Sequence, residues 1–324
     1  MPVTLDRPRR NVQRRAAAAF AAAGLLAVAA CAEEGDYPTG TVEMMIPWTA
    51  GGGSDLSTRQ LANHLENQLG VTITPVNEPG ANGALGWGSL AEASTDGYEL
   101  GLLTFDVLSN EVIDPTSPTI EDFDIIAQFE QQALFLYVRA DSEYDDVTDL
   151  EDGVMFGTSG LGGIDHQAPA ALSSELGVEW DYTPFDGHAD GLTNLLGGNI
   201  DAFVFTPNIA AQYVDDGTLE ILGTFSTETV EQYPDVPTFT EMGLDVPPIG
   251  SFRGIAAPAG IDPEIRDTVE DAIRLTLEDE DFIADAQRMQ MTPYFLDGAE
   301  FEDYMNELRP TITEVLTEMG LAQE

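Results

Sequence analysis

MMIPWTAGGGSDLSTRQL, residues 44–61, reads as three things in a row: the end of an apolar strand, a glycine-rich loop and the first turns of a helix. Three consecutive glycines, Gly51 to Gly53, cost backbone entropy to order. Something must therefore come too close to this backbone for a side chain to intrude. The first amides of a helix have no internal partner and sit at the positive end of its dipole. A glycine loop in front of them makes an anion cradle. VMFGTSGLGGIDHQAPA, residues 154–170, repeats the arrangement: strand, glycine loop with hydroxyl residues, helix start. Either loop alone is as readily an ordinary turn. Two copies, one in each half of the chain, point to a cleft between two α/β lobes. Ligand carboxylate would sit at the loops, where strands end.

The flanking sequence fits that organisation. TVEMMI (41–46) reads as a strand, and DLSTRQLANHLENQLG (55–70) as a helix with Leu61, Leu65 and Leu69 on one face and Gly70 as its stop. VTITPV (71–76) and YELGLLTF (98–105) are further strands, so the pattern is β-α-β with a mostly parallel sheet flanked by helices. FDIIAQFEQQALFLYVR (123–139) is a long apolar stretch suited to pass between lobes. Beyond it the pattern restarts, with HQAPAALSSELG (166–177) as helix and NIDAFVF (199–205) and LEILGTF (219–225) as strands. From Pro263 the chain turns helical, and Pro310 should kink the last helix or end its first half. The expected division is 40–135 plus 253–324 as one lobe and 136–252 as the other.

The N-terminus is separate from the fold. MPVTLDRPRRNVQRR carries five arginines and is followed by AAAAFAAAGLLAVAA, an uncharged run too short to span a membrane and suited to a signal-peptide core. Residues 1–30 read as that signal. The run ends in VAAC at Cys31, the one cysteine of the chain, which resembles a bacterial lipobox. Lipidation of Cys31 would anchor the protein to the outer face of the membrane, with residues 31–39 as a polar tether. A lone cysteine excludes an internal disulfide, so stability must come from the core.

The 324 residues carry 12 basic and 58 acidic side chains, a net charge of −46, and no lysine. Without residues 1–30 there remain seven basic against 57 acidic residues, a net charge of −50. A nucleic-acid partner is excluded on this balance, because phosphate contacts need basic patches. The acidic residues are spread evenly, as in proteins adapted to high salt, where screening shortens to about 3 Å at 1 M.

Several segments, in order, resemble the receptors of the tripartite tricarboxylate transporters, the Bug-type solute-binding proteins. They are IPWTAGGGSDLSTRQLANHLENQLG (46–70), VNEPGANGALG (76–86), STDGYELGLLT (94–104), GTSGLGGIDHQA (157–168), FDGHADGLTNLLGGNIDAFV (185–204), YPDVPTFTEMGL (233–244) and GIAAPAGIDPEI (254–265). The resemblance covers about residues 37–320. It implies a two-lobed type II periplasmic-binding-protein fold that captures a small organic acid and delivers it to a membrane permease, with no cofactor and no metal, as a monomer. It further implies that backbone amides hold the carboxylate: Ala50, Gly51, Gly52 and Gly53 on the first loop, and Thr158, Ser159, Gly160 and Gly162 on the second. Trp48 would be the apolar wall and Asp55 would orient the loop or a bridging water. Closure would bring in Phe185, Gly187, His188 and Thr206 as the far wall. A β-branched residue at Gly52 is expected to abolish binding.

The chain departs from the family in two places. Glycine stands at Gly163, where a serine is common. The end of the strand LLTFDVLS places Thr104 and Asp106 near the expected pocket rim. An acid there repels a second ligand carboxylate and favours an amine or hydroxyl, unless Asp106 is simply part of the acidic surface. His64 falls mid-helix and reads as a surface residue. His166 would close the pocket or brace the second loop. The three histidines form no metal-ligand motif. GTSGL (157–161) comes close to a nucleophile elbow but lacks its last glycine, and His166 has no evident orienting acid, so a serine hydrolase is a remote alternative. The same fold could also serve a signalling partner as a ligand sensor.

Overall fold

Apolar runs at strand period and amphipathic runs at helix period alternate along the computed structural model, which describes residues 37–323 besides Met1. The expected signal peptide, apart from Met1, and Cys31 lie outside the described residues. Gly40–Glu324 is one unit. Among the described residues no helix is long and apolar enough to cross a membrane.

The first lobe is built from β1 (Val42–Ile46), α1 (Gly53–Leu69), β2 (Ile73–Asn77), α2 (Ala84–Ala91), β3 (Glu99–Thr104), α3 (Asp106–Ile113) and β4 (Phe123–Ala133). The second contains β5 (Phe135–Arg139), β6 (Met155–Thr158), α4 (Ile164–Leu176), β7 (Asp181–Pro184), α5 (His188–Leu196), β8 (Ala202–Phe205), α6 (Ala211–Asp215) and β9 (Leu219–Thr224). The chain then returns through β10 (Gly250–Pro258), α7 (Pro263–Glu278), α8 (Glu280–Arg288), β11 (Pro293–Asp297) and α9 (Gly298–Glu318).

Two sheets result, one ordered β11-β4-β10-β3-β1-β2 and the other β7-β6-β8-β5-β9. In the first, β1 runs parallel to β2 and β3, while β10 lies antiparallel between β3 and β4. In the second, β6 is parallel to β7 and β8, and β5 is antiparallel to β8 and β9. Parallel strands covered on both faces are apolar throughout, and β3 is buried from Leu100 to Thr104.

The stretch 123–139 breaks at Leu134, giving one strand to each sheet. Phe135 pairs with Phe205 and Thr224 in the second sheet, and Gly250 to Phe252 pair with Ala133 to Gln131 in the first. Both crossings meet at Leu134, whose carbonyl accepts from Thr224 Oγ1 at 2.8 Å and from the Phe225 amide at 3.0 Å.

Pro310 does not end α9, which runs from Gly298 to Glu318. Phe301 and Met305 before it and Ile312 and Leu316 after it are all buried, so packing on both sides holds the helix together. The long helical run after Pro263 divides at Asp279, whose side chain accepts from the amides of Asp281 and Phe282. α7 and α9 likewise begin under aspartate caps, Asp262 and Asp297. By contrast α1, α4 and α5 begin at Gly52, Gly163 and Gly187 with no side-chain cap. All three start at the seam between the lobes.

Candidate ligand-binding cleft

β1 delivers Trp48 to the cleft, and a short loop leads into α1. Asp55, only 2% exposed, holds that loop. Its Oδ2 accepts from the Gly51 amide at 2.9 Å, and its Oδ1 accepts from Asn77 Nδ2 and Arg59 Nε, both at 2.8 Å. Asn77 Nδ2 also reaches the Trp48 carbonyl at 2.9 Å. The Gly51 amide is thus occupied within the protein, and Ala50 is exposed away from the cavity. The Gly51 amide is therefore not free to meet a ligand.

The amides of Gly53 and Ser54 have no acceptor among the described residues, and no side chain caps α1. They line a cavity of about 20 Å³, room for about one water, together with Trp48, Gly52, Thr104, Asp106, Ser159, Ile164, His188 and Ser251. Trp48 is buried edge-on against Trp87, with ring centroids 6.3 Å apart, and its indole Nε1 has no partner. Three unused donors therefore border one cavity.

The second loop differs from expectation, because its amides are consumed internally. Ser159 N donates to Asp165 Oδ2 at 2.7 Å, Gly160 N to Thr158 Oγ1 at 3.2 Å and Gly162 N to His166 Nδ1 at 2.8 Å. Thr158 Oγ1 in turn donates to Asp165 Oδ1 at 2.8 Å. The expected second carboxylate cradle is therefore closed off by the buried side chains of Asp165, Thr158 and His166. The first amide of α4, Ile164 N, donates across the cleft to Asp106 Oδ1 at 3.1 Å. His166 braces the loop and stacks near Tyr182, and burial lowers its pKa. Its Nδ1 accepts from the Gly162 amide, not from Ser159.

Asp106 is not a surface or rim acid: it is 4% exposed and accepts from Thr104 Oγ1 at 3.0 Å besides Ile164 N. Burial first, then the nearby Asp165 carboxylate, push its pKa up to about 6. His188 stands opposite, its Nε2 3.1 Å from Asp165 Oδ2 and its ring against Phe203 and Phe205. Phe185 does not reach this cavity. It lines an open groove outside it, of about 540 Å³, which also includes Asn82, Ser159 and Gly160. His64 is half-buried and meets Asp285 Oδ2 at 3.1 Å.

The glycines answer a different need from the one expected. A Cβ on Gly53 would lie 2.7 Å from Asn208 Oδ1 and 2.8 Å from Thr206 Oγ1 in the other lobe. A Cβ on Gly160 would meet Asn82 Oδ1 at 2.5 Å, one on Gly163 would meet Asp106 Oδ1 at 2.8 Å, and one on Gly187 would meet Thr49 Oγ1 at 2.7 Å. Gly162, at φ +82°, sits against Ile113. Each lets the opposite lobe approach. Gly51 and Gly52 are exceptions: a Cβ on Gly51, at φ +86°, would meet nothing within 4 Å, and one on Gly52 would find only ordinary contacts of 3.6 Å or more.

Arg253 is the main residue the sequence reading passed over. It is fully buried in β10, with Nη1 donating to Glu130 Oε2 at 2.7 Å and to Gln132 Oε1 at 3.0 Å. Its other nitrogens reach Ser54 Oγ at 3.2 Å and Thr206 Oγ1 at 3.3 Å, so it joins both lobes beside the start of α1. Asn208 adds Nδ2 bonds to the Gly53 carbonyl and to Ser57 Oγ, both at 3.1 Å. The signal was present: an arginine inside the apolar strand GSFRGIAAP must find a buried partner.

Comparison with known proteins agrees with this architecture. Residues 57–321 match the tripartite tricarboxylate transporter family receptor. A Cupriavidus necator relative, the UPF0065 protein in the gbd 5' region, is 28% identical over 97% of this chain and 99% of its own length. BugT of Bordetella pertussis is 26% identical over 74% of this chain and 76% of its own. Among solved structures, the periplasmic binding protein BugD superposes with a TM-score of 0.83 at 23% identity, covering 89% of this chain and all of that one. MatC from Rhodopseudomonas palustris with bound malate gives 0.79 at 22% identity, with coverages of 86% and 100%. Rpa4515 from R. palustris with adipate gives 0.84 at 20%, with coverages of 89% and 99%. Two sheets joined by crossings at Leu134 and before Gly250, with helices on their faces, are the two-lobed fold of these binding proteins, and the chain belongs to the tripartite tricarboxylate transporter receptor family.

Proposed function

We propose that this protein is an extracytoplasmic receptor that binds a small organic acid and passes it to a tripartite tricarboxylate-type membrane permease. It would act without catalysis, as a monomer tethered through lipidated Cys31. One observation carries the reading: Gly53 and Ser54, whose amides have no acceptor among the described residues, and Trp48, whose Nε1 has no partner, line the same cavity at the uncapped start of α1. Buried donors without acceptors are costly, and a carboxylate supplies acceptor lone pairs and the charge that a helix N-terminus favours. Malate and adipate in two structural neighbours are acids of this class. The cavity is too small for such a molecule, so the lobes must part to admit it and then close over it less tightly than in this structure.

The overall charge works against anion capture at long range. Recognition therefore rests on these local dipoles. The test is a thermal-shift panel on the purified full chain in molar KCl, with mono-, di- and tricarboxylates and amino acids. A ligand at 100 times its Kd adds about 2.7 kcal/mol of stability and raises Tm visibly. A silent panel on well-folded protein overturns the reading.

A further inference from the structure

Asp106 lines the same cavity as the start of α1. It is buried, it opens α3, and it borders the same space as Trp48, Gly53 and Ser54. Among the described residues no arginine pairs with it; its partners are the Thr104 hydroxyl and the Ile164 amide. The Ile164 amide is the first of α4, one of the two uncapped helix starts that the second lobe brings to the seam. The protein's own carboxylate already fills it. Behind Asp106 lies Asp165, fully buried, with His188 on its Oδ2.

We propose that Asp106 sets the ligand class: this receptor takes monocarboxylates whose other end donates hydrogen bonds, hydroxy acids or amino acids, and rejects dicarboxylates. The inference rests on the carboxylate reading above. A ligand that places its carboxylate on Gly53, Ser54 and Trp48 brings its other end towards Asp106. A second carboxylate there would face a buried anion with little solvent screening. A hydroxyl or ammonium would instead take the lone pairs that Thr104 and Ile164 leave over, since an ionised carboxylate accepts at about four positions. With its pKa near 6, Asp106 is mostly ionised at pH 7.5. Asp165 and His188 are the other titratable groups facing it.

The test is calorimetric titration of the full chain in molar KCl at pH 7.5. Lactate, 3-hydroxybutyrate, alanine and 4-aminobutyrate are compared with succinate, glutarate and adipate, on the parent and on Asp106→Asn. Asparagine keeps an oxygen for the Ile164 amide, removes the charge and puts an NH2 donor where Oδ2 accepted from Thr104 Oγ1, a hydroxyl that can turn to accept instead. The parent should bind its best monocarboxylate at least about tenfold more tightly than any dicarboxylate, and Asp106→Asn should narrow that ratio about tenfold. Dicarboxylates binding the parent as well as monocarboxylates would overturn the proposal and leave the carboxylate site standing. An unchanged ratio in Asp106→Asn would do the same. Binding of no carboxylate by either protein removes the site and this inference with it. Asp106→Ser is the second variant should Asn fail to fold, and the parent's own preference decides the question without either.

Discussion

At the scale of single residues, two of the buried charges in the cleft, Asp106 and Arg253, are unequally visible in the sequence. Asp106 stood out because an acid ended an apolar strand, but its burial did not, since 58 acidic residues make any one of them look like surface. Arg253 was concealed differently. Its partner Glu130 lies 123 positions away and becomes its neighbour only when β10 pairs with β4. The Asp106 pKa has a thermodynamic consequence. A carboxyl whose folded pKa rises from 3.8 to about 6 favours folding most below the unfolded value and loses that contribution as pH climbs to 6. Ionised Asp106 thus costs up to about 3 kcal/mol at pH 7.5. Without ligand, Asp106→Asn should be more stable than the parent at pH 7.5. The gap should close as pH falls from 6 towards 4. Urea unfolding at several pH values measures it, and equal midpoints throughout would show that Asp106 carries no such cost.

At the scale of elements, periodicity and glycine loops were enough to identify β1, α1, β3, α4 and the closing helices. What they could not show is what a glycine makes room for. The loops were read as places where a ligand touches bare backbone, yet Gly53, Gly160, Gly163 and Gly187 each face an atom of the opposite lobe. Those contacts join residues far apart in sequence, as Asn208 does with Gly53, and no local pattern encodes them. The difference is testable with two neighbouring positions. Gly53→Val should hold the lobes apart and lower ligand affinity by about a hundredfold or more, since overpacking of this kind costs about 1–3 kcal/mol and the valine also masks the α1 amides. Gly52→Ala has room and should change affinity by less than about threefold. Calorimetry on both variants, with scattering to follow the radius of gyration, checks this. Equal losses at both positions would restore the simpler picture of a ligand on the loop.

At the scale of the whole molecule, composition and topology speak to different things. Two α/β lobes and a cleft were legible because strand, loop and helix recur in order. The net charge left no trace on the fold, since both sheets are built from the same apolar strands as any such protein. It bears on solvent. Self-repulsion among the 57 acidic residues from position 31 onward is relieved by salt. The apparent Tm should therefore climb steadily between about 0.1 M and 2 M KCl, by more than sucrose of matched osmolality produces. A flat response would mean that the acidic surface carries no stability penalty.

The position of β10 governs the order in which this chain becomes a protein. β10 sits between β3 and β4, yet it follows the whole second lobe in sequence. Until residue 258 has emerged, the first sheet lacks its central strand. β3 and β4 then have no partner between them, and their apolar surfaces stay open to water. The second sheet has all its strands once Thr224 is made. The lobe inserted in the middle of the gene is therefore the first that can finish, and the lobe that carries the free α1 amides is completed last.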